Sequence, residues 1–308
     1  MTAAVTLGIS DYRLGYRTEA GPLQVLDGVD LSINQGEVLG LVGESGSGKS
    51  TLAYAVMRAL QAPVVAQSGV IELAGTALTA MTEDEIAALR GNRIAMVFQD
   101  PGASLNPTMT LGEHFEQVLR RHRRLGRAEA REETRRLVEM VGLPDPDLMA
   151  GKYPHEVSGG EKQRAVIALA FACDPELILF DEPTSALDAT TAANILDLFR
   201  ELQARTGVSA LFISHDLGTV GEIAHRVAVI YAGRIVEIAA RDALFREPRH
   251  PYTRALLASL PRPTAVDHEQ ALLPFLAHCP IGSGQRRVVT SPRAAPSPRR
   301  HVGPSHSP

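Results

Sequence analysis

Short apolar runs alternate with amphipathic stretches along most of the chain, and this pattern predicts an α/β fold with a mainly parallel sheet. The run GEVLGLV (36–42) predicts a strand that ends in a Gly-rich turn, and the next segment, STLAYAVMRAL, has the pattern of a helix. Further strands are predicted at VIEL near Ile71, RIAMVF (93–98), LILFD (177–181) and ALFIS (210–214). The segment VAVIYAGRIVEI predicts a β-hairpin that turns at Ala232 and Gly233, because β-branched residues flank this small pair.

The pattern becomes helical between residues 107 and 174. Thr110 followed by Glu113 fits a capping box, which predicts the start of one helix. A second, charged helix is predicted over about 127–141, and a third begins at Ser158. We therefore predict a helical subdomain at about 107–174, inserted into the α/β core.

Composition limits the classes of protein that fit. Hydrophobic residues make up 44% of the 308 residues, which is enough for a buried core. The formal net charge of −4 argues against binding to nucleic acid through overall charge, and no nucleic-acid partner is expected. The two cysteines are too few to staple a secreted fold, so we expect a reducing compartment. No signal peptide is visible, and no apolar stretch approaches the roughly 18 residues that span a bilayer, so any membrane attachment must come from another protein.

The C-terminal segment has a different composition. After Glu269 there is no acidic residue and no lysine, while five arginines remain. Pro, Ser, Gly and Arg dominate from Ile281 onward, which predicts disorder. A diverged or frameshifted end, a dispensable tail and contact with anionic lipid through the arginines are the alternatives for this segment.

The segment GESGSGKST (43–51) fits the phosphate-loop pattern G-x-x-x-x-G-K-[ST] between a predicted strand and a predicted helix. Such glycines let consecutive N–H groups point at phosphate oxygens, helped by the N-terminus of the helix. Lys49 can then reach the β- and γ-phosphates, and the hydroxyl of Ser50 can bind Mg²⁺. The alternative is a Gly-rich turn before an ordinary helix. The predicted nucleotide-binding residues of this loop are Gly43, Glu44, Ser45, Gly46, Ser47, Gly48, Lys49, Ser50 and Thr51.

The segment LILFDEP supplies the carboxylates that a phosphate-loop site also needs. Asp181 stands at the end of a buried strand, where it can hold Mg²⁺ through water. Glu182 follows directly and can polarise the attacking water as a general base. Taken alone, these carboxylates could equally be an exposed acidic strand end. Together with the phosphate loop they predict a Mg²⁺-dependent nucleoside triphosphatase.

A third segment narrows this class. VSGGEKQR (157–164) can be interpreted as a simple capping box, but it also resembles the LSGGQ signature of ABC ATPases. Gln99 in VFQD, SALD at 185–188 and His215 in FISHD complete the set of ABC motifs, in the order of that family. The resemblance runs from about residue 5 to 260. It implies a P-loop NTPase (RecA-like) ABC ATPase core with an antiparallel β subdomain, an inserted helical signature subdomain and a short C-terminal extension.

The resemblance also implies roles for single residues. Tyr16 matches the aromatic residue that stacks on adenine, with Tyr12 as the competing choice. Gln99 corresponds to the residue that senses Mg²⁺ and the attacking water and links to the membrane subunit, and His215 corresponds to a histidine that contacts the γ-phosphate. The implied catalytic residues are Glu182, His215, Lys49 and Gln99, and the implied metal residues are Ser50, Gln99 and Asp181. The residues implied to act across a dimer, on ATP held by the opposite subunit, are Ser158, Gly159, Gly160 and Asp188.

Two stretches, FQDPGASLNP (98–107) and EPRHPYTRALLASLP (247–261), resemble the oligopeptide/dipeptide permease branch of the family, which includes nickel importers. The second could also be a surface helix with Leu256, Leu257 and Leu260 on its apolar face. The resemblance implies a peripheral subunit on the cytoplasmic face of the plasma membrane. It implies two permease subunits, a second and usually non-identical ATPase, and an external substrate-binding protein. The expected cargo is di- or oligopeptides, with nickel or another small solute as the alternative.

The expected division is an ATPase domain at 1–260, an extension at 241–275 and a tail at 276–308. Many members of the branch carry a run of C-terminal cysteines that can hold an iron–sulfur cluster. FLAHCPIGSG offers Cys279 alone, so no cluster is expected within this chain. Cys173 is expected to be a core residue inside an apolar helix. Rival interpretations are a soluble ABC ATPase that acts on DNA or ribosomes, an exporter ATPase, and a regulatory subunit with a decayed site.

Overall fold

The computed structural model describes residues 4–60 and 63–259. Its strands are β1 (Val5–Thr18), β2 (Gly21–Asn34), β3 (Val38–Val42), β4 (Val64–Leu73), β5 (Thr76–Ala77), β6 (Ile94–Val97), β7 (Leu177–Asp181), β8 (Ser209–Ser214), β9 (Arg226–Tyr231) and β10 (Arg234–Ala240). Its α-helices are α1 (Lys49–Val56), α2 (Glu83–Leu89), α3 (Pro101–Ser104), α4 (Leu111–His122), α5 (Arg127–Met140), α6 (Pro146–Gly151), α7 (Gly159–Phe171), α8 (Ala189–Thr206), α9 (Leu217–Ile223), α10 (Arg241–Arg246) and α11 (Pro251–Ala258).

A six-stranded sheet forms the centre of the fold, in the order β10-β9-β3-β8-β7-β6. All neighbours in it are parallel except β10, which pairs antiparallel with β9. The strands predicted at 36–42, 93–98, 177–181 and 210–214 are β3, β6, β7 and β8. The hairpin of β9 and β10 turns at Ala232 and Gly233, which both have positive φ angles. The predicted α/β class is therefore confirmed.

An antiparallel sheet, in the order β2-β1-β4-β5, packs beside this centre. The family resemblance implied such a subdomain, but hydrophobic periodicity located only the end of β4, near Ile71. Strands β1 and β2 lack a clean alternation, because the register between them shifts at several points and Asp11 adopts a φ of 42°. Bulges of this kind remove the period of two on which strand prediction rests.

The central sheet is buried on both faces. Val38 and Ala210 belong to one hydrophobic cluster, while their neighbours Leu39 and Leu211 belong to the other. The first cluster includes residues of α4, α5, α7 and α8, and the second includes residues of α1 and the antiparallel sheet. Full burial of each valine or leucine side chain contributes about 1.5–3 kcal/mol relative to exposure. These two clusters pack on both faces of the sheet and so hold the strand ends that carry polar residues in place.

Helices α3 to α7 lie between β6 and β7 in the chain. The predicted capping box of Thr110 and Glu113 is present at the start of α4. The predicted charged helix is α5, which ends at Met140, one residue before the expected end. Ser158 is the N-cap of α7, as its sequence predicted.

Replacing Thr110 by Ala is expected to lower the free energy of unfolding by about 1 kcal/mol. The hydroxyl of Thr110 accepts the N–H of Glu113, and alanine would leave that helix N–H without its cap. Urea unfolding of the variant beside Thr110→Ser, which keeps the hydroxyl, measures the loss. Equal unfolding midpoints for the alanine and serine variants would show that the cap contributes nothing.

One residue placement in the sequence analysis is wrong. Cys173 is buried as expected but lies outside the helix, because α7 ends at Phe171 with Ala172 as its C-cap. Burial raises the pKa of the Cys173 thiol. Cys279 and the tail at 276–308 lie outside the described residues. Within residues 4–60 and 63–259, no helix has the length and apolar character needed to cross a membrane.

Candidate active site

The phosphate-loop segment curls between the end of β3 and the start of α1. Gly46 and Gly48 have φ angles of 79° and 106°, a region that only glycine enters without strain. A Cβ at Gly43 would collide with the carbonyl oxygen of Ile230. The loop can therefore keep this curl only with glycine at these positions.

Lys49 is buried at the first position of α1. Its Nζ donates hydrogen bonds to the carbonyl oxygens of Gly43, at 2.8 Å, and Glu44, at 2.9 Å. Burial lowers the pKa of Lys49, and the negative charges of Glu182 and Asp181 oppose this effect. The loop thus wraps a cation that an anionic ligand would help to neutralise.

Asp181 is the last residue of β7 and is buried. It accepts a 2.8 Å hydrogen bond at Oδ1 from the hydroxyl of Ser50. Burial raises the pKa of Asp181 and the charge of Glu182 adds to this, while the Ser50 hydrogen bond and Lys49 oppose it. The structure therefore brings together two side-chain oxygen atoms that could bind a metal ion, from residues 131 positions apart.

Glu182 turns the chain sharply at the end of β7. Its φ is 47°, in the left-handed region that non-glycine residues seldom adopt, and its N–H donates to the carbonyl oxygen of Ile213 at 3.0 Å. Its Oε2 lies 3.1 Å from Nδ1 of His215, at the end of β8. A strained backbone held by neighbouring strands is typical of functional positions. This pair places a carboxylate and an imidazole in hydrogen-bond contact.

A cleft of about 360 Å³ runs along the phosphate loop. The predicted residues that line it are Tyr16, Ser45, Gly46, Gly48, Lys49, Ser50, Thr51, Gln99 and Glu182. Of the two tyrosines considered for adenine, Tyr12 is fully buried and its hydroxyl accepts a hydrogen bond from Gln67. Burial raises the pKa of Tyr12 to about 12. Tyr16 is therefore the one that a ligand in the cleft can reach.

The signature residues lie elsewhere on the chain. Ser158 caps α7 through a reciprocal box with Glu161, and Ser158 and Gly159 are exposed. Asp188 caps α8, and hydrogen bonds from Thr191 lower the pKa of this exposed carboxyl. Among the described residues, those that line the cleft include neither the signature residues nor Asp188. A single chain therefore brings together the phosphate loop with Asp181, Glu182 and His215, but not the signature.

Two contacts of the phosphate loop were missed by the sequence analysis. The N–H of Gly233 donates to the carbonyl oxygen of Ser47 at 3.0 Å, and the N–H of Glu44 donates to the hydroxyl of Tyr252 at 3.0 Å. The second contact joins positions 208 residues apart. No local pattern could have identified it.

Two family descriptions together cover most of the described chain. Residues 26–185 match the family described as ABC transporter. Residues 236–276 match the family described as oligopeptide/dipeptide transporter, C-terminal region. A shorter match, to an AAA domain, overlaps these at residues 150–221. The first match includes the phosphate loop, the signature, Asp181 and Glu182.

Comparison with individual proteins supports the same family. The oligopeptide transport ATP-binding protein OppD of Bacillus subtilis is 44% identical over 83% of this chain and 72% of its own length. The dipeptide transport ATP-binding protein DppD of the same organism is 40% identical over 94% of this chain and 90% of its own length. The solved dimeric ATP-binding cassette bound to ADP and Pi superposes with a TM-score of 0.68 and 26% identity, over 76% of this chain and 98% of that one. The chain belongs to the ABC transporter ATP-binding family and carries that family's oligopeptide/dipeptide transporter C-terminal region.

Proposed function

We propose that this chain is the ATP-hydrolysing subunit of an ABC importer that takes up di- or oligopeptides. The observation that carries the proposal is the presence, in one chain, of an intact phosphate-loop cleft and the oligopeptide/dipeptide C-terminal region. Relatives named for oligopeptide and dipeptide transport support the cargo class. The phosphate-loop residues, Gln99 and Glu182 in this cleft are of the types that the ABC motifs have, which disfavours a regulatory subunit with a decayed site.

We infer that Mg²⁺ acts as the cofactor. The hydroxyl of Ser50 and the carboxylate of Asp181 are oxygen donors in direct contact, and the amide of Gln99 lines the same cleft. Mg²⁺ prefers such ligands and usually keeps several waters and phosphate oxygens, so a dense protein cage is not required. Within the described residues no cluster of three or more His, Cys, Asp or Glu side chains forms a candidate metal site, and this donor set does not need one. When bound, Mg²⁺ would neutralise charge that develops on the transferred phosphate.

In the proposed reaction, water forms a bond to the γ-phosphorus while the bond to the β–γ bridging oxygen breaks. Lys49 and the N–H groups of the loop stabilise the developing phosphate charge. Glu182 accepts the proton of the attacking water. His215, protonated on Nδ1, donates to Oε2 of Glu182 and orients that carboxylate. Tyr16 is placed to stack on the adenine.

The signature would act on ATP bound to a second ATPase subunit. Ser158, Gly159 and Gly160 form the N-terminus of α7, where N–H groups and the helix dipole favour an anion. The solved cassette with ADP and Pi is dimeric, which supports this arrangement. We propose that the partner is a related, non-identical ATPase, and that Asp188 also contributes at this interface.

The remaining partners follow from the importer role. Two permease subunits and an external binding protein would complete the assembly, with this chain on the cytoplasmic face of the plasma membrane. We propose the domain division 1–260 for the ATPase, with helices at about 107–174, and 241–275 for the extension. The helices between β6 and β7 and the C-terminal match at 236–276 support these boundaries.

Affinity purification of the Glu182→Gln variant from host membranes with ATP tests the assembly. We expect two multi-span permeases and a second ATPase to be recovered, because bound but uncleaved ATP holds the dimer closed. The matched control is Lys49→Ala, which is expected to recover less of the second ATPase. Recovery only from the soluble fraction, alone or with ribosomes or DNA, would contradict the importer role.

A further inference from the structure

The start of α11 is tied to strand β10 by two hydrogen bonds. The carboxylate of Glu237 accepts the N–H groups of Arg249 and His250, both at 2.9 Å. The imidazole of His250 in turn accepts the N–H of Tyr252 at 3.2 Å. Burial alone would raise the pKa of Glu237, but the hydroxyl of Thr253 and the N–H groups of Arg249 and His250 outweigh it and lower the pKa. The first turn of α11 therefore has a fixed position on the central sheet.

Tyr252 extends from this turn to the phosphate loop. Its side chain is 4% exposed, and its ring packs on that of Tyr231 with the centroids 4.5 Å apart. Its hydroxyl accepts the N–H of Glu44 at 3.0 Å. Burial raises the pKa of Tyr252, so the hydroxyl stays neutral and protonated at neutral pH. The contact is therefore a hydrogen bond to a phenol and not to a phenolate.

The peptide group that joins Gly43 to Glu44 is held on both sides. Its N–H donates to Tyr252, and its carbonyl oxygen accepts a hydrogen bond from Nζ of Lys49 at 2.8 Å. A trans peptide is planar and its N–H and C=O point in opposite directions. Fixing the direction of the N–H therefore also fixes the carbonyl that holds Lys49.

Other support for this part of the loop comes from within it, where the carbonyl oxygen of Glu44 accepts the N–H of Ser47 at 3.2 Å. Glu44, Ser45 and Gly46 are exposed. Another hydrogen bond from a residue outside the loop, from the N–H of Gly233 to the carbonyl oxygen of Ser47, lies three residues further along the loop. The Gly43–Glu44 peptide thus has Lys49 as its partner within the loop and Tyr252 as its partner from outside the loop.

We propose that Tyr252, in the C-terminal extension, is a positioning residue for the phosphate loop and through it for Lys49. This proposal rests on the proposed ATPase function for its catalytic meaning. The extension that distinguishes this chain from a bare ATPase domain thereby contributes to nucleotide affinity. Tyr252 acts through the Gly43–Glu44 peptide and does not itself contact the phosphates.

The test is Tyr252→Phe in the full chain, which keeps the ring and removes only the hydroxyl. We expect the amide of Glu44 to exchange with solvent several-fold faster in the nucleotide-free protein. We expect the Kd for ATP to rise about three- to tenfold, the range expected for one lost hydrogen bond. The kcat at saturating ATP should change less than KM, because Glu182 and His215 are untouched.

The matched control is Tyr231→Phe, since Tyr231 packs on the same ring and its hydroxyl has no hydrogen-bond partner among the described residues. It should leave both the Glu44 exchange rate and the Kd for ATP at wild-type values. A Tyr252→Phe variant with a lower thermal midpoint but an unchanged Kd for ATP would overturn the proposal, as would unchanged Glu44 exchange. A wild-type chain that bound no ATP would contradict the proposed function instead, and the exchange rates would still decide whether Tyr252 holds the loop.

Discussion

Replacing Glu182 by Gln is expected to reduce steady-state ATP hydrolysis at least about 10²-fold while ATP affinity changes little. The amide keeps the shape of the carboxylate and can still accept the hydrogen bond from Nδ1 of His215. It cannot accept a proton from water. We therefore expect the chemical step to be lost, while Lys49 and the phosphate loop should still bind the nucleotide.

Phosphate release and ATP binding, measured separately on the purified chain with its ATPase partner, check this result. Glu72→Gln is a matched control, because Glu72 is an exposed carboxylate on strand β4. The control should hydrolyse ATP at the wild-type rate. Hydrolysis by Glu182→Gln at a rate close to wild type would show that another group is the base.

Replacing Lys49 by Ala is expected to weaken ATP binding at least about tenfold and to abolish measurable hydrolysis. A hydrogen bond that involves a charged group contributes about 1.5–3 kcal/mol, and Lys49 would form such bonds with the phosphates. Alanine also removes the hydrogen bonds from Lys49 to the carbonyl oxygens of Gly43 and Glu44, of which only the second keeps another donor, the N–H of Ser47. Both changes are expected to weaken phosphate binding by the loop.

Folding can be separated from binding in this variant. Burial lowers the pKa of Lys49, which means that the charged form is costly in the folded protein without ligand. The thermal midpoint without ATP should therefore not fall sharply. The gain in midpoint on adding ATP should be smaller than in wild type. Lys152→Ala, at the C-cap of α6, is the control and should respond to ATP like wild type. An undiminished ATP-induced shift in Lys49→Ala would contradict the assigned role.

Much of the central sheet and the phosphate loop could be predicted from sequence because their signals are local. Strands β3, β7 and β8 are buried on both faces, so each has an apolar run at its centre. The loop at 43–51 is identified by its spacing of glycines, lysine and serine, and the positive φ angles of Gly46 and Gly48 explain two of these glycines locally. The cap at Thr110 is equally local.

Other features depend on contacts between distant residues. The shifts in register between β1 and β2 hide both strands from any periodic pattern. The left-handed backbone of Glu182 is held by Ile213 on the neighbouring strand. The choice of Tyr16 over Tyr12 required knowledge of which side chain the sheet buries. The hydrogen bond from Glu44 to Tyr252 joins positions 208 residues apart, and no sequence pattern at either residue predicts it.

Peptide uptake by host cells is the direct measure of the proposed transport role. Cells that lack the gene for this chain are supplied with the wild-type chain or with Lys49→Ala, and the uptake of labelled di- and oligopeptides is measured. We predict that deletion reduces uptake, that the wild-type chain restores it and that Lys49→Ala does not. Unchanged peptide uptake after deletion, rescue by Lys49→Ala, or a defect in nickel uptake alone would contradict the proposed role.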